Sequence, residues 1–218
     1  MTELLHATNL SLTRGGASVL RDLEMSLREG QHTLLLGRSG CGKTSLLYVI
    51  AQLLDADSGV IRFRGAEVSS LGSPRGFRLQ NIGFIFQDVH LIEPLSVRHN
   101  IEIVRSLSGA THAPSPEELL RPLGLADKLG TRVSRLSRGE RQRVAIARAF
   151  ANAPALILAD EPTASLDAEN RDRSFDQMFE LADRFSATVV VATHDTALSE
   201  RSDFVQSLRL DRGQLLGV

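Results

Sequence analysis

The sequence predicts an α/β fold, and three observations carry that expectation. Short apolar runs alternate with helical patterns through much of the chain. One run, Leu34-Leu35-Leu36, opens directly into the glycine-rich stretch Gly37-Arg38-Ser39-Gly40-Cys41-Gly42-Lys43-Thr44. Across residues 95–151 the alternation stops, leaving a segment that reads as helical.

Strand-like runs fall at residues 4–12, 19–27, 33–36, 60–63, 82–87, 156–159, 188–192 and 205–210. A helix is expected over residues 43–51, immediately after the glycine loop. Within the helical insertion, Ser115-Pro116-Glu117-Glu118 has the form of a capping box with proline at the first helical position. The chain of 218 residues, with 42% hydrophobic and 23% charged residues, is enough for one domain with an inserted subdomain. About two dozen residues follow His194, so no added regulatory domain is expected there. No apolar stretch approaches bilayer length, and no secretory leader pattern opens the chain. A single cysteine excludes an intramolecular disulfide and suits a reducing compartment, so a cytoplasmic location is expected. The formal charge of −1 gives no bulk electrostatic reason to bind nucleic acid.

The glycine loop follows the pattern GxxxxGK[ST], a cradle for nucleotide phosphates. Gly37 and Gly42 permit a tight backbone path that turns N–H groups toward one point. Lys43 can reach the β- and γ-phosphates, and Thr44 offers a hydroxyl to Mg²⁺. The helix that follows aims its positive N-terminus at the anion. Ala155-Leu156-Ile157-Leu158-Ala159 reads as a central strand buried on both faces, and it ends in Asp160-Glu161-Pro162. Two carboxylates at such a strand end suit a metal and a water: Asp160 for Mg²⁺, Glu161 as general base. The run Thr188-Val189-Val190-Val191-Ala192-Thr193 repeats the design and ends in His194-Asp195, where a histidine can contact a γ-phosphate. His6, His32, His90, His99 and His112 lack that setting and read as surface or packing residues.

Residues 136–149, Leu-Ser-Arg-Gly-Glu-Arg-Gln-Arg-Val-Ala-Ile-Ala-Arg-Ala, resemble the signature segment of ABC-type ATPases. Ser137 and Glu140 form a second capping box there, so a helix N-terminus with N–H groups open to an anion begins at this point. The family's other parts occur in its order over essentially the whole chain. They are the phosphate loop, Gln87 as the Q-loop glutamine after Gly83-Phe84-Ile85-Phe86, the Walker B strand at residues 157–161, Ser165-Leu166-Asp167 as the D-loop, and His194 as the switch histidine. The resemblance implies one ABC ATPase domain over residues 1–218. Its P-loop core would hold a mostly parallel sheet with an N-terminal antiparallel β part, and the helical signature subdomain would lie at about residues 95–151.

It further implies ATP and Mg²⁺ as ligands, with ATP held by residues 37–45, from Gly37 through Arg38, Ser39, Gly40, Cys41, Gly42, Lys43 and Thr44 to Ser45. Gln87 would sense the metal and the water, with Thr44 and Asp160 as the other metal contacts, and Glu161 and His194 would complete catalysis. Two copies would pair head to tail, each closing the other's ATP with Ser137, Gly139 and Asp167. Residues 88–100 would meet a transmembrane permease at the inner face of the cell membrane. Residues 71–87 and 140–149 look most like the lipoprotein-releasing and macrolide-exporter ATPases. The ATPase of a solute importer and a nucleotide-gated signalling module remain alternatives.

Three positions depart from the family pattern. No Phe, Tyr or Trp precedes Tyr48, so the usual aromatic stack on adenine is missing. Arg14 can lie over the base instead, or Leu12 can pack against it, and weak discrimination among nucleoside triphosphates is expected. Arg138 stands where glycine is usual in the signature. Cys41 lies inside the phosphate loop, so thiol reagents are expected to inactivate the protein and ATP to protect it.

Overall fold

The computed structural model describes residues 2–110, 113–164 and 168–217. In chain order the elements are β1 (Glu3–Arg14), β2 (Ala17–Arg28), β3 (His32–Leu36), α1 (Lys43–Ile50), β4 (Ser58–Phe63), β5 (Ala66–Glu67), α2 (Pro74–Asn81) and β6 (Ile82–Ile85). There follow α3 (Val97–Ser108), α4 (Pro116–Leu120), α5 (Arg138–Ala149), β7 (Leu156–Asp160), α6 (Ala168–Arg184), β8 (Thr188–Thr193), β9 (Phe204–Asp211) and β10 (Gln214–Gly217). The chain forms two compact units, one of residues 1–78 with 188–218 and one of residues 79–187.

The first unit contains two sets of strands. The long strands β1 and β2 pair antiparallel, β4 joins β1 antiparallel, and β5 joins β4. Alternation decides which faces are buried: Leu10, Leu12, Leu20, Leu23, Met25 and Leu27 are all buried, while polar neighbours such as Arg21, Asp22 and Glu24 face solvent. This is the antiparallel part that the family resemblance implies. The second set places β3 between β8 and β9, parallel to both, with β10 turning back antiparallel on β9. Both β3 and β8 are buried along their whole length, which is why they read as continuous apolar or β-branched runs rather than alternating ones. His32 belongs to this packing: its Nδ1 accepts from the Val189 backbone N–H at 3.1 Å.

The second unit pairs β6 with β7 in parallel and adds four helices, α3 to α6. Both expected capping boxes are present. Ser115 and Glu118 exchange hydrogen bonds at the start of α4, with Pro116 at the first helical position, and Ser137 and Glu140 do the same at the start of α5. Toward its C-terminal end α5 is covered nearly all round, with Val144, Ala145, Ile146, Ala147 and Ala149 buried. The expected strand over residues 82–87 ends at Ile85, so Phe86 and Gln87 leave the sheet and enter the loop beyond it.

Candidate nucleotide site

In the first unit the phosphate loop springs from β3 and closes on α1. Gly42 is the N-cap residue of α1 with φ 108°, a left-handed conformation that side chains rarely adopt. A β-carbon there would also meet Val19 Cγ1 and the Val19 carbonyl at 3.1 Å. Lys43 is buried, and its Nζ donates to the carbonyls of Gly37 at 2.7 Å and Arg38 at 3.2 Å, so the ammonium folds back over the loop that carries it. The Cys41 N–H donates to the Arg38 carbonyl at 3.2 Å, tightening the same turn, and the Cys41 thiol is half-buried and free of any disulfide.

The parallel pairing of β3 with β8 sets Leu36 against Thr193, and the Gly37 N–H donates to the Thr193 carbonyl at 3.2 Å. His194, the next residue, is therefore delivered to the root of the phosphate loop, where it is exposed. Asp195 then accepts from Ala197 N–H and starts a short 3-10 turn over Thr196–Glu200, ending the strand and fixing the exit path beside His194. Arg14 lies exposed at the end of β1, before the Gly15-Gly16 turn into β2.

In the second unit β6 and β7 run in register, with Ile85 opposite Ala159. Gln87 and Glu161 each stand two residues past that pair and so leave the same edge of the strands. Asp160 is buried at the last position of β7, where a carboxylate needs partners. Glu161 is half-buried with φ 45°, a left-handed backbone that costs on the order of 1–3 kcal/mol and occurs preferentially at functional positions. Gln87 and Asp88 are exposed, and with Val89, Leu136, Arg138 and Arg141 they line a groove of about 460 Å³. Arg138 thus faces a groove that it shares with the Q-loop residue.

At the start of α5 the Ser137 hydroxyl accepts from the Glu140 N–H at 3.3 Å, and a Glu140 carboxylate oxygen accepts from the Ser137 N–H at 2.8 Å. The Ser137 backbone hydrogen bond, with smaller help from the Ser137 hydroxyl, Lys128 and Arg143, holds the Glu140 carboxyl below the usual glutamate range. Gly139 is different from Gly42. A β-carbon there would meet nothing closer than Arg143 Nη1 at 3.7 Å, an ordinary contact. Nothing within the chain therefore demands glycine at this position.

Asp167, with Ser165 and Leu166, lies outside the described residues, as does His112. Sequence reasoning gave no role to Arg148 or Asn100, which hold the loop that follows Gln87. Their one signal was a charge and an amide set among apolar helix positions.

A family profile described as ABC transporter matches residues 20–164. The chain belongs to the ABC transporter family. Among curated relatives, the lipoprotein-releasing system ATP-binding protein LolD of Bacteroides fragilis is 35% identical over 208 residues, covering 92% of this chain and 95% of that protein. The protein of the same description from Novosphingobium aromaticivorans is 38% identical over 212 residues, covering 94% of each. Among solved structures, a dimeric post-hydrolysis state of an ATP-binding cassette bound to ADP and Pi superposes with a TM-score of 0.85 at 27% identity, covering 98% of both chains. The dimeric structure of a bacterial ABC transporter cassette gives 0.84 at 28% identity, covering 97% of this chain and 96% of that one. This ABC protein is an ATP-binding, ATP-hydrolysing cassette, as the sequence reading expected, and its fold is the P-loop ABC fold. Among the described residues no helix is long and apolar enough to cross a membrane.

Proposed function

We propose that this ABC ATPase drives a separate transmembrane subunit of the lipoprotein-releasing type, through closure of two copies around two ATP molecules. The observation that carries this reading is likeness over almost the full chain to proteins described as lipoprotein-releasing system ATP-binding proteins. It fits a cassette whose described residues include no membrane-crossing helix of their own.

Residues 37–45 hold the triphosphate, with Lys43 contacting β- and γ-phosphate oxygens in addition to its loop carbonyls. Thr44, Asp160 and Gln87 offer a hydroxyl, a carboxylate and an amide carbonyl, an all-oxygen donor set that fits Mg²⁺. Mg²⁺ held by these residues would supply neutralisation of the charge that develops on the phosphates. Glu161 takes a proton from the attacking water, Gln87 orients that water, and His194 steadies the γ-phosphate. Ser137, Gly139 and Asp167 of a second copy close the site. The space above Gly139 and the open N-terminus of α5 support that role, because a phosphate can approach the backbone there without displacing a side chain.

Residues 95–151 act as the signature subdomain, and residues 88–100 meet the membrane subunit at the inner face of the membrane. ATP favouring the closed pair, and products the open pair, makes nucleotide state a lever on that subunit.

The test is to tag the Glu161→Gln protein, add ATP and Mg²⁺, and identify what co-purifies from solubilised membranes. A partner with few membrane helices and a large outer domain is the expected result, because the lipoprotein-releasing resemblance implies a membrane subunit of that kind. A many-helix permease with a solute-binding protein overturns the lipoprotein-release reading in favour of import, and recovery of no membrane protein overturns the transport reading.

A further inference from the structure

The loop that carries Gln87 is held at both ends by consecutive residues of one helix turn. Before Gln87, β6 lies against the end of α5 at Gly83: a β-carbon on Gly83 would sit 2.1 Å from the Ala149 carbonyl oxygen and 2.5 Å from Ile157 Cδ1. After Gln87, the Arg148 guanidinium donates to the Val89 carbonyl at 2.9 Å and the His90 carbonyl at 2.6 Å. Arg148 is half-buried, and burial lowers its pKa. Both of these acceptors are backbone carbonyls, so the guanidinium fixes a chain path.

That path is costly to hold. His90 has φ 45°, in the left-handed region, with its ring edge-on to Phe86 at 5.1 Å between centroids. Further along, buried Asn100 grips both backbone groups of Ile92, accepting from its N–H at 2.7 Å and donating to its carbonyl at 3.1 Å. Arg141 reaches Glu93 at 2.9 Å, and the Ser134 N–H donates to the Glu93 carbonyl at 3.2 Å. Residues 89–95 have no helix or sheet of their own, yet side chains of α3 and α5 and the backbone of the strip before α5 hydrogen-bond to backbone groups of Val89, His90, Ile92 and Glu93. Only Gln87 and Asp88 stand exposed between the two anchors.

We propose that Arg148 is a positioning residue for Gln87: with the Gly83–Ala149 contact it makes the last turn of α5 the anchor of the Q-loop, so Gln87 moves as one body with the signature helix. The inference rests on the role assigned to Gln87 under Proposed function.

The experiment uses the full chain with the variants Arg148→Met, Arg148→Lys, Gln87→Ala and the double variant Gln87→Ala/Arg148→Met. Amide hydrogen exchange of residues 86–92 reads the anchor without reference to catalysis. Arg148→Met is expected to speed exchange there about tenfold while the body of α5 stays protected. Its kcat is expected to fall about tenfold with KM for ATP within about twofold, since small misplacements of a catalytic group act on kcat. Arg148→Lys, which keeps one donor, should recover part of both, and the double variant should be no slower than Gln87→Ala alone.

Unchanged exchange over residues 86–92 in folded Arg148→Met overturns the anchor. Additive losses in the double variant, or an equal fall with no rescue by lysine, overturn the positioning role. Gln87→Ala with normal turnover defeats the Gln87 assignment instead, and the exchange measurement then decides the anchor by itself.

Discussion

The phosphate loop and the start of α5 both present backbone N–H groups at a helix N-terminus, but they are built by opposite means. The loop shapes itself: Gly42 adopts a backbone that few other residues tolerate, it lies tight against Val19, and Lys43 ties back onto the carbonyls of Gly37 and Arg38. The start of α5 is shaped by side chains, through the Ser137–Glu140 box, and its glycine at 139 has space around it. A glycine required from within reports on folding, whereas one with room to spare reports on what approaches from outside.

Lys43→Ala offers the largest effect. Loss of a charge-assisted contact to phosphate should weaken ATP binding on the order of ten- to a hundredfold, measured by calorimetric titration. Gly42→Ala comes next, with about 1–3 kcal/mol lost in urea unfolding from backbone strain and crowding at Val19. Gly139→Ala should do the reverse, leaving stability unchanged or raised by up to about 1 kcal/mol in the helix while turnover falls. If Gly139→Ala unfolds the protein or hydrolyses ATP normally, the contrast between the two glycines collapses.

Ser137→Ala should cost about 1 kcal/mol of stability through the lost cap. The smallest effect is on acid stability. The Glu140 carboxyl lies below its ordinary range in the folded chain, so its contribution is complete above the unfolded-state pKa and is lost as pH falls through the lower folded value. The difference in stability between the parent and Glu140→Gln should therefore shrink only in acid, below the usual glutamate range, as followed by denaturation at stepped pH.

Most of the fold was legible because its buried strands leave unmistakable runs. Residues 188–193 are β-branched and apolar because both faces of β8 are covered. β5 and β10 were not legible: two and four residues long, they depend on the strands they pair with rather than on a pattern of their own. α2 was missed because Phe77 is its one buried side chain, which leaves no apolar periodicity, and Gly76 is a poor helix former.

At the site, spacing and residue type revealed the phosphate loop, both capping boxes and the acidic strand end. The grip of Arg148 on Val89 and His90 was invisible. Its partners are backbone carbonyls 59 and 58 residues earlier, and a carbonyl has no letter in a sequence. Gln87 was singled out by its neighbours, but its position outside the strand depends on where pairing with β7 stops at Ile85.

The two hydrogen bonds from Lys43 to its own loop bear on how any substitution there is read. The ammonium braces the loop that carries it through the Gly37 and Arg38 carbonyls, in addition to the phosphate contact proposed for it. A chain lacking it loses a phosphate contact and also starts from a slacker loop. The measured loss of affinity is then a sum of two free energies, and a nucleotide-free order measurement on residues 37–42 separates them.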